Sequence, residues 1–142
     1  MSTSYFIDRV SGILGLTPAA VTSTSAVPSA VVDRKGFQTA FIAVDSGISA
    51  GNGLTLTLFE GSVAGTAATA VTLQALPAVI STTAAAYTVY QVNLEGFNRY
   101  IKAVITPSTA TSVTFGINFI FADSNNDPAL GIGNAVTPLA KA

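Results

Sequence analysis

The sequence contains no histidine, no cysteine and no tryptophan, and only 9% of its 142 residues are charged. A typical soluble domain is about 25% charged. Each absence removes a class of chemistry. Without histidine there is no Ser-His-Asp or Cys-His nucleophile. Without cysteine there is no disulfide and no thiolate metal site, and the redox compartment leaves no mark. Six basic residues against seven acidic ones give a net charge of −1. That balance argues against a nucleic-acid groove, which needs Lys and Arg in excess to neutralise phosphates. No apolar run approaches the ~18 residues of a membrane helix. Asp8 and Arg9 interrupt the first residues, and the apolar run Val10–Leu16 is broken by Ser11, Gly12 and Gly15. This is not the pattern of a cleaved leader, so the chain is expected to be made and used without secretion through one.

What fills the composition is Ala, Thr, Ser, Val and Gly, with 49% hydrophobic residues overall. Surface charge keeps a monomer soluble and deters association. A chain that does with so little is expected to work packed in an assembly. Its length fits one domain.

From Gly36 onward the pattern is β. Phe37–Asp45 is rich in aromatic and β-branched residues and lacks proline, as a strand requires. Asn52-Gly53 closes the following loop as a tight-turn signal. In Leu54–Glu60 the leucines at 54, 56 and 58 face one way, and Thr55, Thr57 and Phe59 the other. Ala70–Gln74 is a short strand candidate, and Leu76–Ala86 a variable loop or edge segment. Tyr87–Leu94 and Asn98–Thr106 read as two strands joined by Glu95-Gly96-Phe97. Ser112–Phe121 carries the sharpest stripe: Val113, Phe115, Ile117, Phe119 and Phe121 share one face, a period of two that no helix has. Gly116 within it predicts a bulge or a close backbone approach. Residues 1–33 read as an N-terminal arm with one or two short strands, such as Ala30–Asp33. Phe6, Val10 and Ile13 would share a face in a short helical turn near Tyr5–Ile13. Residues 34–122 form the core domain. Residues 123–142, with Pro128, Gly131, Gly133 and Pro138, read as a C-terminal arm lying against a neighbour or mobile when free. Strands about every ten residues, with no alternating amphipathic helices, predict an all-β, antiparallel, jelly-roll-like β-sandwich or a barrel.

The remaining chemistry is thin. Glu60 and Glu95 sit at strand ends beside glycines, where a solvated turn carboxylate is the ordinary expectation rather than a catalytic pair. Asp123, Asn125 and Asp127 match the first ligands of an EF-hand loop. Pro128 then stands where glycine is needed and Asn134 where a bidentate glutamate is needed. Gly131-Ile-Gly133 lacks the third glycine and the βαβ frame of a dinucleotide site. No catalytic residue, metal ligand or cofactor is therefore assigned. Arg99 and Lys102, three apart on one strand, face opposite sides. They read as charges protecting a sheet edge, or as ion-pair contacts to an acidic neighbour. Phe59 and Ile120 are large apolar residues on faces opposite the core stripes. They point to a second buried surface, made by another sheet or a neighbouring subunit.

The segment Val89–Ile105, a strand, a Gly-centred turn and then Arg99-Tyr100-Ile101-Lys102-Ala103-Val104, resembles small head-decoration or minor capsid proteins of tailed bacteriophages. Gly36–Gly47 fits the same style, and the resemblance covers residues 34–122. It implies a non-enzymatic β-sandwich that binds the outer capsid surface, often as a trimer, and stabilises the virion. The major capsid protein and a second copy of the chain are then the implied partners, with no nucleic acid and no membrane. The contact residues expected are Phe59, Arg99, Lys102 and Ile120, with Asp123, Asp127, Leu130 and Ile132 in the arm. Another virion subunit, in tail or minor head, is the first alternative. A carbohydrate-binding or adhesin sandwich is the second, against which the missing tryptophan counts.

Overall fold

The computed structural model describes residues 10–49, 53–71, 78–122 and 136–141. These residues form strands, turns and loops, with no helix among them. The strands are β1 (Val10–Val21), β2 (Val27–Pro28), β3 (Val32–Asp33), β4 (Thr39–Ser46), β5 (Gly53–Gly61), β6 (Thr69–Ala70), β7 (Ala78–Ser81), β8 (Ala86–Asn93), β9 (Tyr100–Pro107), β10 (Val113–Ala122) and β11 (Val136–Ala140).

They make two sheets packed as a sandwich. One has five strands in the order β1-β10-β4-β8-β11. The other has β2-β9-β5-β6 along its path, with β3 also on β9 and β7 also on β5. Every pairing is antiparallel except β11 on β8, which is parallel. The expected all-β sandwich is the fold observed.

The alternation read from the sequence sets which side chains fill the interior. Leu54, Leu56 and Leu58 of β5 are buried, as are all five residues of the β10 stripe. From β4 come Ala40, Ile42 and Val44, from β8 Tyr90 and Val92, from β9 Ile101, Ala103 and Ile105. The Phe119 and Phe121 rings stack at 6.2 Å, and Phe37 meets Phe121 at 5.6 Å. Side chains of this size stabilise the fold by about 1.5–3 kcal/mol each when fully buried.

Several segments differ from the sequence reading. Residues 10–21 are a twelve-residue strand along β10, longer than the short strands expected of the arm, and Val10–Ile13 are extended rather than helical. The mixed polar and apolar composition of this edge strand goes with side chains that are mostly half-buried or exposed. Its register slips between Leu14 and Leu16 and again between Leu16 and Ala19. Gly116 lies across from this irregular stretch, and a Cβ there would come 2.7 Å from the Pro18 ring and 3.0 Å from the Leu16 carbonyl. The close backbone approach foreseen at Gly116 is thus contact with β1. β2 and β3 line the same flank of β9, separated by residues 29–31. There Ser29 N–H donates to the Ala103 carbonyl (2.8 Å), and the Ser29 hydroxyl accepts from Ala103 N–H (3.0 Å). A side-chain hydroxyl so replaces one backbone acceptor in the ladder. Leu76–Ala86 includes an edge strand, β7. At the far end of the chain, residues 136–140 form a strand, β11, that pairs with β8.

The rows of the five-stranded sheet fix its ends. Val10, Ala122, Thr39, Asn93 and Ala140 stand side by side in one row. Ser46 and Ala86 mark the opposite end.

Gly116→Ala is expected to cost about 1–3 kcal/mol by overpacking β10 against β1. A urea titration reads this as a lower midpoint at unchanged slope. A change under about 0.5 kcal/mol would mean that Pro18 does not press on this position.

Candidate functional site

At the Asn93 end of the sandwich two turns of the same design meet. One is Asp33-Arg34-Lys35-Gly36-Phe37, the other Asn93-Leu94-Glu95-Gly96-Phe97. In each, the leading Asp or Asn side chain accepts the N–H two residues on, at 2.9 Å (Lys35 and Glu95). In each, the phenylalanine N–H donates to the carbonyl of the second residue at 3.0 Å. In each, the glycine holds positive φ, 85° at Gly36 and 77° at Gly96, which costs glycine nothing. The pattern Asx-x-x-Gly-Phe was readable in the sequence and was missed there, because 60 positions separate its two copies.

Arg34 fastens the turns together. Its guanidinium donates to the Phe37, Phe97 and Asn98 carbonyls. The Leu94 N–H adds a bond to the Gln38 carbonyl at 2.9 Å. Beside them stands Glu60, 4% exposed. Its Oε2 accepts Asn98 N–H at 2.7 Å and its Oε1 accepts Lys141 Nζ at 2.6 Å. Lys141 also donates to the Gly96 carbonyl at 3.0 Å, with its ammonium 5.9 Å from the Phe97 ring centroid. One carboxylate and two cations thus join β5, β8, β9, the turn before β4 and the end of β11.

Burial pushes the Glu60 pKa up. The hydrogen bonds from Lys141 and Asn98 and the charges of Lys141 and Arg34 outweigh it, and the result lies below the ordinary glutamate value. The expected solvated turn carboxylate is therefore corrected: Glu60 is buried and paired. The signal was present in the alternation, because Glu60 continues the inward parity of Leu54, Leu56 and Leu58.

The contact residues expected from the sequence do not form one patch. Arg99 is exposed and paired within the chain, its Nη2 2.7 Å from Asp33 Oδ2 and its Nε bonded to both oxygens. Those bonds, with the Lys35 N–H, hold Asp33 at a pKa of about 2. Lys102 lies opposite Phe59 in the ladder, its ammonium 5.2 Å from the ring centroid, on the outward face of the six-stranded sheet. The edge-protection reading of these two cations is overturned, because β9 is flanked by β2 and β3 on one side and β5 on the other. Ile120 lies on the outward face of the opposite sheet. There it packs on Phe41, Ala43, Val89 and Ala122. Asp123, Asp127, Leu130 and Ile132 fall outside the described residues.

The exposed apolar side chains lie elsewhere. Ile48 (67%) and Tyr87 (49%) stand at the Ser46 end, remote from the charged cluster, with Leu14 on β1 and Val63 in the turn after β5. No group of acidic residues placed to hold a metal ion occurs among the described residues.

No family model matches the chain, and no curated protein matches it. Among solved structures it is similar to a chain in the structure of infectious bursal disease virus Gt strain. The TM-score is 0.54 at 16% identity, over 84% of this chain and 33% of that one. A chain of the Gx strain structure gives 0.50 at 13% identity with the same coverage. The chain spans about a third of the length of both. Similarity at this identity shows the fold, one that a virus particle also uses. The likeness is to structures other than a phage decoration protein, and it supports the sandwich fold of the resemblance read in the sequence but not its family.

Removing the Glu60 charge tests the clasp. A carboxyl whose folded pKa lies below its unfolded value, ordinarily 4.5, stabilises the fold fully above that value. The contribution is lost as pH falls through the folded pKa. Glu60→Gln is expected to lose about 1–2 kcal/mol at pH 7. Its stability should also vary less than that of the unaltered protein below pH 4.5. Chemical denaturation at a series of pH values measures both, and parallel curves for the two proteins would refute the assignment.

Proposed function

We propose that this chain is a structural protein of a virus particle. The observation that carries the reading is the likeness of this charge-poor sandwich to chains in two virus structures. In its finer form the reading is a non-enzymatic decoration, or cement, subunit. It binds the outer surface of a tailed-phage head, with the major capsid protein as its partner, and acts as a homotrimer. The phage pattern of residues 34–122 supports this form, and so does the composition. Among the described residues the nine charged side chains are Asp33, Arg34, Lys35, Asp45, Glu60, Glu95, Arg99, Lys102 and Lys141. Six of them, Asp33 with Arg99, Glu60 with Lys141, Arg34 and Lys102, contact another part of the same chain. A surface with few charges, most of them engaged within the chain, is suited to repeated close contact. Capsid binding then works by multiplicity. Contacts below the size of a stable standalone interface add across a lattice of identical sites.

Two measurements test the reading. Light scattering after size exclusion should give three times 14.4 kDa at every concentration, and a monomer throughout would remove the trimer. Electron microscopy of phage heads incubated with the purified protein should show added density on the outer surface. Bare heads at saturating protein would overturn the decoration role.

A further inference from the structure

Asp45 is the one charged residue in the strands of the five-stranded sheet. It is exposed, and no ion pair or hydrogen bond reaches its carboxylate from the described residues. At the opposite end of the sandwich Arg34, Glu60, Arg99 and Lys141 are all held within the chain. An exposed carboxylate is ordinary by itself. The surroundings of this one are not.

Asp45 stands on the outward face of its sheet, since Ala40, Ile42 and Val44 of the same strand point into the core. Directly opposite it on β8 is Tyr87, 49% exposed. Side chains opposite one another in an antiparallel pair have Cβ atoms about 4.5–5.5 Å apart. One group can therefore touch the carboxylate and the Tyr87 ring together. On the other flank is Gly116, which brings no side chain of its own, and the Pro18 ring lies over it. Apolar side chains frame the row. Ile48 is 67% exposed just past the end of β4, and Leu14 is 55% exposed on the same face, opposite Asn118.

Exposed apolar side chains grouped around one unengaged charge have the composition of a contact surface. The occupant has to bring a cation, because covering Asp45 without one would leave a carboxylate unpaired and out of water. A glycan would leave Ile48 and Leu14 wet, and an anionic lipid surface would be repelled. An arginine meets both features of the row at once. Its guanidinium pairs with a carboxylate through two parallel hydrogen bonds and stacks on an aromatic face. Tyrosine and arginine are also among the side chains that dominate protein contacts.

We propose that the Asp45–Tyr87 face is the surface by which this chain docks on a protein partner. The partner places an arginine against Asp45 and Tyr87, and apolar side chains against Ile48 and Leu14. On the reading of the chain as a capsid-binding subunit, that partner is the major capsid protein, and the charged end with Lys35 and Glu95 lies outside the contact.

Three variants at exposed positions test the face on phage heads, with binding read by sedimentation across a concentration series. Asp45→Arg should bind at least about tenfold more weakly than the unaltered protein, because a like charge then meets the partner's arginine. Tyr87→Ala should bind severalfold more weakly. Lys35→Glu, a charge reversal at the opposite end, should stay within about twofold of the unaltered protein. Matching urea midpoints check that each variant is folded. Asp45→Arg binding as tightly as the unaltered protein would overturn the assignment of the face. Equal losses in Asp45→Arg and Lys35→Glu would overturn it as well, since the effect would then have no location. If Asp45→Arg instead breaks up an assembly that the unaltered protein forms in solution, the occupant is a second copy and the capsid assignment falls. Heads left bare by the unaltered protein would overturn the decoration reading itself, a result distinct from heads left bare by Asp45→Arg alone.

Discussion

The fold depends on one constraint: a strand of strict period two must bury one whole face. β10 has hydrogen-bonded neighbours on both flanks, β1 and β4, and all five residues of its inward stripe are almost wholly inaccessible. Such a strand admits no register slip, because a shift by one residue would turn three phenylalanines outward and Asn118 inward. The opposing leucines of β5 obey the same rule. The irregular parts are accommodated at the edges. β1 takes up two register shifts beside Gly116, and β2 and β3 are two-residue strands around the Ser29 substitution.

Much of this was legible in the sequence for a simple reason. Alternation is local, so Leu54–Glu60 and Val113–Phe121 declared both their strand character and their buried faces. What could not be read locally was partnership. The polar, glycine-broken β1 carries no clear stripe, yet the exposed flank of β10 gives it a place. β11 contains a proline and follows a run of sequence without alternation, and its status as a strand depends on the vacant edge of β8. The charged cluster lies between these cases. Glu60 had the parity of a buried residue, but the expectation that turn carboxylates are solvated outweighed that parity. Its partner Lys141 is 81 positions away, a distance over which sequence spacing says nothing. The expectation that Arg99 and Lys102 guard an edge failed for the same reason, since nothing local reveals that β9 is central.

The cluster also shows how a charge-poor chain uses the ions it has. Arg34 satisfies turn carbonyls that would otherwise end at a buried junction. A buried ion pair is weak support for stability in itself, because desolvation offsets attraction. Its contribution here is in specifying which elements meet: among the described residues the end of β11 brings an ammonium to Glu60, and the turn after β8 offers Asn98 N–H to the same carboxylate. Together with the twin turns, this defines the geometry of one end of the sandwich. The other end is left to Ile48, Tyr87 and their small neighbours.

The shared row of Val10 and Ala140 gives the molecule a direction. The start of β1 and the end of β11 both open at the pole that holds the charged cluster, on opposite margins of the same sheet. A passenger domain fused ahead of Val10 or behind Ala140 would therefore sit on that hemisphere in either case. The Ile48 and Tyr87 pole would stay uncovered, so cargo would be displayed from one side alone.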